Sequence, residues 1–152
     1  MEKEQIETFS VIGITVRTSN QNGEGARDIP ALWGRFYSED IISKIPNKAG
    51  EDVYGLYTDY EGDYTKPYTT LIGCKVNSLR EIPDGMTGLT INGGAYLKLT
   101  VKGDLMKGTV IEGWQKIWNT DLKRTYVVDF EVYGEKAKNP EDAEVEIYVG
   151  VG

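Results

Sequence analysis

The segment AYLKLTVKGDLMKGTVIEGWQKIWN, residues 95–119, changes its apolar period partway along. Ala95, Leu97, Leu99 and Val101 alternate with Tyr96, Lys98 and Thr100. A period of two predicts a strand with one buried face. Between Asp104 and Asn119, the residues Val110, Gly113, Trp114, Ile117 and Trp118 recur on one stripe, the pattern of an amphipathic helix. Gly108 and Gly113 lower its helix propensity, so tertiary packing must hold it. Tyr126 to Tyr133 then reads as a strand and Gly134 to Asp142 as a charged loop. Val145, Ile147, Val149 and Val151 are the inward set of a final strand.

The first half repeats that order. Phe9 to Arg17 alternates with both faces largely apolar, as in an interior strand. A polar loop, Ser19 to Asp28, follows, with Asp28 as the expected N-cap and Pro30 in the first helical turn. Ile29, Leu32, Trp33, Phe36, Tyr37 and Ile41 form an apolar helical stripe, which should end near Ile45, before Pro46. Val53 to Asp59 and Thr69 to Val76 read as an antiparallel pair around the acidic loop Tyr60 to Pro67. The glycine-rich stretch Ile82 to Gly94 is a connector with room for a short strand at Gly88 to Ile91. The expected class is therefore α+β: two pseudo-twofold-related β-α-β-β repeats, about 5–80 and about 88–152, within one domain spanning 1–152. They would share an antiparallel sheet with two helices on one face and a cleft at the seam.

Composition excludes several function classes. The chain has 152 residues, 39% hydrophobic and 27% charged, enough for a packed core and against disorder. No run approaches the ~18 apolar residues of a membrane span, and MEKEQIETF has no signal-peptide core, so a cytoplasmic protein is expected. Histidine is absent, which removes the imidazole base, Ser-His and Cys-His pairs and histidine-held metals. The lone cysteine, Cys74, allows no internal disulfide, and in LIGCKV it reads as a small core residue. Ile91 to Gly94, INGG, lacks the lysine and the strand–loop–helix context of a phosphate site. A net charge of −7 without a basic stripe opposes nucleic-acid binding and favours a cationic or neutral partner. No catalytic residue, metal site or cofactor is assigned.

Ten Tyr, three Trp and three Phe fit either an aromatic pocket or an exposed sheet face. Glu61, Asp63, Glu135, Glu141 and Asp142 lie in loops and should be solvated. Glu131 is different, because it interrupts the apolar strand TYVVDFEVYG, residues 125–134. Alternation puts it on one face with Val127, Asp129 and Tyr133, opposite Tyr126, Val128, Phe130 and Val132. On that pattern Glu131 points to solvent, since an unpaired buried carboxylate is expensive.

The element order, with VYGLYTDYEGDYTKPYTTLIGCKV in the first half and GGAYLKLTVKGDLMKGTVIEGWQKIW, DFEVYGE and EVEIYVGV in the second, resembles the gyrase-inhibitor-like (GyrI-like) small-molecule-binding domain. That domain is the effector-binding part of AraC-type and some MerR-type transcription activators. It also occurs alone, including in mobile gene-cassette (integron cassette) proteins that bind cationic drugs. The resemblance covers Phe9 to Val151 and implies an aromatic cleft between the halves. It also implies that Glu131, in DFEVY, anchors cationic ligands; a cleft opening onto its face, or a local bulge, would reconcile this with the alternation. The ending VGVG departs from the proline found near the last strand of typical members.

On this basis the expected function is binding of lipophilic, cationic small molecules. Glu131 would be the counter-charge, Trp33, Tyr37 and Trp114 the helix-borne walls, and Tyr57 and Tyr68 the sheet-side contacts. One alternative is a hydrolase of electrophilic strained-ring compounds with Glu131 as base and a tyrosine hydroxyl as polariser. Another is an interaction protein whose partner is gyrase or a DNA-binding regulator, since the chain has no room for a helix-turn-helix domain of its own.

Overall fold

The structure is a computed structural model describing residues 1–152. Eight strands form one sheet: β1 (Glu2–Ile6), β2 (Phe9–Thr18), β3 (Lys48–Thr58), β4 (Tyr68–Val76), β5 (Thr87–Ile91), β6 (Gly94–Gly103), β7 (Arg124–Tyr133) and β8 (Ala143–Val151). Helices α1 (Glu24–Ser38) and α2 (Ile41–Lys44) lie between β2 and β3, and α3 (Thr109–Trp118) lies between β6 and β7. The strand order is β1-β6-β8-β7-β3-β4-β2-β5, with every pairing antiparallel.

Read inward from either edge, the order is the same. The trio β2-β4-β3 meets the trio β6-β8-β7 at a seam between β3 and β7. The starts of β1 and β5, of β2 and β6, and of α1 and α3 are each 85 residues apart; those of β3 and β7 are 76 apart. The repeat is thus β-β-α-β-β, one strand longer than the pattern indicated. Its first strand is exchanged: β1 pairs with β6 of the second half, and β5 with β2 of the first. The sequence EKEQI hides β1 because an edge strand with mostly exposed side chains needs no apolar alternation.

The sheet is strongly curled. Phe9 of β2 and Phe130 of β7 have ring centroids 5.3 Å apart although β4 and β3 lie between their strands. A flat sheet would separate them by roughly 14 Å, at ~4.8 Å per strand. The curl closes on itself around Phe9, Val11, Leu56, Leu71, Phe130 and Tyr148, a core without helices.

The opposite face carries the helices. Leu32 and Phe36 of α1 pack on Ile12, Ile14, Ile72 and Cys74. Trp114 and Ile117 of α3 pack on Tyr57, Tyr68, Ile147 and Val149. Gly113 explains its place inside a helix: a Cβ there would lie 2.7 Å from Val101 Cγ1 and 3.0 Å from Ile147 Cδ1. The weak helix former is what lets α3 sit close on the sheet.

Helix ends differ from expectation. α1 begins at Glu24, inside the stretch expected to be loop, with Gly23 as its N-cap. Asp28 therefore caps nothing; it accepts the Thr18 hydroxyl at 2.9 Å, and Pro30 lies within the helix. The stripe up to Ile45 is broken after Ser38, because Asp40 takes a left-handed conformation (φ 48°) between α1 and α2. Asp104 accepts from the Met106 amide to cap a separate short turn, Leu105–Lys107, and α3 starts only at Thr109. No helix is long and apolar enough to cross a membrane.

Candidate functional site

Glu131 keeps the alternation of its strand, paired with Gly55 of β3 on one side and Ile147 of β8 on the other. The face it shares with Asp129 and Tyr133 is the helix-covered one, so its side chain is not in solvent: Glu131 is 1% exposed. This corrects the expectation drawn from alternation alone. A period of two assigns a face but does not say what covers it. β7 does carry a bulge, but between Arg124 and Asp129, where Tyr126 has φ 53°. The bulge leaves Val127 at the surface and does not turn Glu131.

Three donors hold the carboxylate. Trp114 Nε1 and the Tyr57 hydroxyl donate to Oε2 at 2.6 and 2.9 Å, and the Tyr133 hydroxyl donates to Oε1 at 2.7 Å. Burial pushes the Glu131 carboxyl above its ordinary 4.5, and the bonds from Tyr133, Trp114 and Tyr57 oppose that rise. Burial, reinforced by the neighbouring carboxylate, drives the Tyr57 and Tyr133 hydroxyls well above 10, so both remain donors.

The aromatics around Glu131 come from both halves. Tyr57 meets Trp114 edge-on at 5.4 Å and Tyr68 at 5.8 Å. On the α1 side, Trp33 meets Tyr133 edge-on at 4.9 Å, and a side chain at Gly55 would touch Trp33 Cζ2 at 3.7 Å. Tyr37 is 64% exposed and stacks on Trp33 at 6.0 Å, turned outward.

A cleft of about 410 Å³, counted to its open mouth, lies on the α3 side. Tyr57, Tyr68 and Trp114 line it, and Glu131 sits one hydrogen bond behind Tyr57 and Trp114. Trp33 and Tyr37 are not among its lining residues. Tyr60, Tyr64, Trp118 and Arg124, none of them expected from sequence as site residues, also line it, together with Asn20, Ile29 and Ile111. Tyr64, from the β3–β4 loop, stacks flat on Trp118 at 5.5 Å and 8°. Arg124 Nη2 bonds Asp129 Oδ2 at 2.7 Å, and the same oxygen accepts the Tyr60 hydroxyl at 2.5 Å. Arg124 and Asp129 are thus matched to each other, and the carboxylate directly behind the Tyr57 and Trp114 wall is that of Glu131. The signal for Tyr60 and Tyr64 is their four-residue spacing with Tyr68 in DYEGDYTKPY, a stretch that reads from sequence as an acidic loop.

The chain belongs to the family described as integron-associated effector binding protein, whose model matches residues 4–151. It is 31% identical over 144 residues to YobU of Bacillus subtilis (strain 168), whose name describes it as a candidate transcriptional regulator; the match covers 91% of this chain and 89% of YobU. Among solved structures, it is similar to the integron cassette protein VCH_CASS2 from the mobile metagenome of Vibrio cholerae, with TM-score 0.75, 29% identity, and 99% and 95% of the two chains covered. It shares its fold with SAV2435, solved bound to tetraphenylphosphonium, at TM-score 0.81, 18% identity, and 99% and 93% coverage.

Proposed function

We propose that the cleft binds lipophilic organic cations and that Glu131 is their counter-charge, acting through the aromatic walls bonded to it. The observation that carries this reading is a carboxylate 1% exposed whose donors, Tyr57 and Trp114, are themselves the cleft surface. A hydroxyl or indole N–H that donates to a buried anion becomes more electron-rich across its ring. Its face then attracts a cation more strongly than the usual ~0.5–2 kcal/mol. A delocalised cation leaves water easily, and neither ring faces nor a buried charge demand fixed hydrogen-bond geometry, so several ligands of this class fit one cleft.

The ligand-facing residues on this reading are Tyr57, Tyr68 and Trp114, with Trp33 buttressing Tyr133 behind the anion and Tyr37 peripheral. The three donors on Glu131 support binding rather than hydrolysis, because they engage both oxygens and leave the carboxylate poorly placed to deprotonate water. A melting assay across cationic, neutral and anionic aromatic compounds tests the reading. Cations should raise the melting temperature in proportion to ln(1 + [L]/Kd), and neutral or anionic analogues should not. Equal shifts from all three classes would reject it.

A further inference from the structure

The side chain of Arg124 is 4% exposed, lines the cleft, and spends one nitrogen, Nη2, on Asp129. Its Nε and Nη1 are buried with no hydrogen-bond partner. Buried guanidinium donors without acceptors are costly, and native proteins satisfy such groups with protein, ordered water or a bound molecule. The guanidinium is also held rigidly: its carbon lies 4.3 Å from the Tyr126 ring centroid and 5.9 Å from that of Trp114. The bulge after Arg124, with Tyr126 at φ 53°, brings this side chain and Asp129 together.

We infer that Arg124 is a second recognition point, donating to an uncharged acceptor oxygen on the ligand. The acceptor is uncharged because Asp129 already matches the guanidinium and Glu131 adds a further negative charge nearby, which disfavours a carboxylate or phosphate. Asp129 and Glu131 lie two residues apart on one face, on the order of 7 Å. Trp114 spans the gap, bonding Glu131 through Nε1 while its ring faces Arg124. The preferred ligand is therefore an aromatic cation carrying a ketone, ester or amide carbonyl at about that distance from its charge. This rests on the proposed cation site and specifies its ligand.

The test compares pentyltriphenylphosphonium with (4-oxopentyl)triphenylphosphonium, which differ by one carbonyl oxygen, by calorimetric titration of the wild type and of Arg124→Lys. Lysine keeps the charge facing Asp129 and removes the two orphan donors. The wild type should favour the ketone by about tenfold or more, as expected for a hydrogen bond to a charged donor, and Arg124→Lys should abolish that ratio. No ketone preference in the wild type, or the same preference in Arg124→Lys, overturns the inference; if the variant does not fold, the wild-type ratio alone decides. Should neither phosphonium bind, the cation reading fails separately. Benzophenone against diphenylmethane, in the same two proteins, then tests Arg124 by the same ratio.

Discussion

Glu131 and Gly55 face each other across the seam, and the carboxylate occupies the space that a side chain at position 55 would fill. A Cβ on Gly55 would stand 3.0 Å from Glu131 Oε1. The two residues are 76 apart, the same offset that relates β3 to β7, so this pair lies on the pseudo-twofold axis of the sheet. One half supplies the anion and the other supplies the room for it.

Gly55→Ala should therefore disturb the site without removing any polar group. The carboxylate is tied by three donors and cannot retreat freely, so the substitution should destabilise the fold by about 1–3 kcal/mol and weaken cation binding. Urea unfolding and ligand titration of the same variant check both; a stabilised protein with unchanged affinity would show that Glu131 moves aside at no cost.

Trp114→Phe keeps a ring on the cleft wall and removes one donor from Glu131 Oε2, leaving Tyr57 on that oxygen. Loss of a hydrogen bond to a buried charge should lower stability by about 1–3 kcal/mol. The tryptophan fluorescence change on adding a phosphonium cation should also shrink, because Trp33 and Trp118 remain but the indole bonded to the anion is gone. An undiminished signal would move the ligand away from Trp114.

The pH dependence follows from the raised Glu131 carboxyl. In the folded protein this group takes up its proton at a higher pH than in the unfolded chain. Between the folded value and 4.5 the native state binds more protons, so the contribution of Glu131 to stability grows as pH falls through that window and is constant below it. Cation affinity runs the other way: it should fall as pH drops through the folded value, because the neutral acid carries no charge. Titrating affinity against pH in the wild type and in Glu131→Gln separates these effects. A pH-dependent loss of affinity that persists in the glutamine variant would assign it to another group.

Much of the fold was legible because strands and helices with one buried face write that face as a period. The order strand–helix–strand–strand, twice, came from such periods in Ala95–Val101, Val110–Trp118 and Ile29–Ile41. The parts that carry no period stayed hidden. β1 is an exposed edge, and the first turn of α1 is written in GEGAR, where glycine and charge mimic a loop. Trp33 and Trp114 look like counterparts, yet the 85-residue offset between α1 and α3 pairs Trp33 with Trp118, and Trp114 with Ile29. For the site, a mid-strand glutamate was visible as an anomaly, but its three donors come from β3, α3 and its own strand. Only tertiary structure joins them. Arg124 and Asp129 read as ordinary strand charges because a bulge, silent in the sequence pattern, brings them together.

The most direct measurement is calorimetric titration of methyltriphenylphosphonium and its neutral carbon isostere, 1,1,1-triphenylethane, into the wild type and Glu131→Gln. The glutamine carbonyl can accept from Trp114 and Tyr57 while its amide donates to Tyr133, so the variant should fold with a melting temperature near that of the wild type. The wild type should prefer the cation, and Glu131→Gln should lose about 2–5 kcal/mol of that preference. An equal preference in both proteins, or no preference in the wild type, would contradict a buried carboxylate as the counter-charge of this cleft.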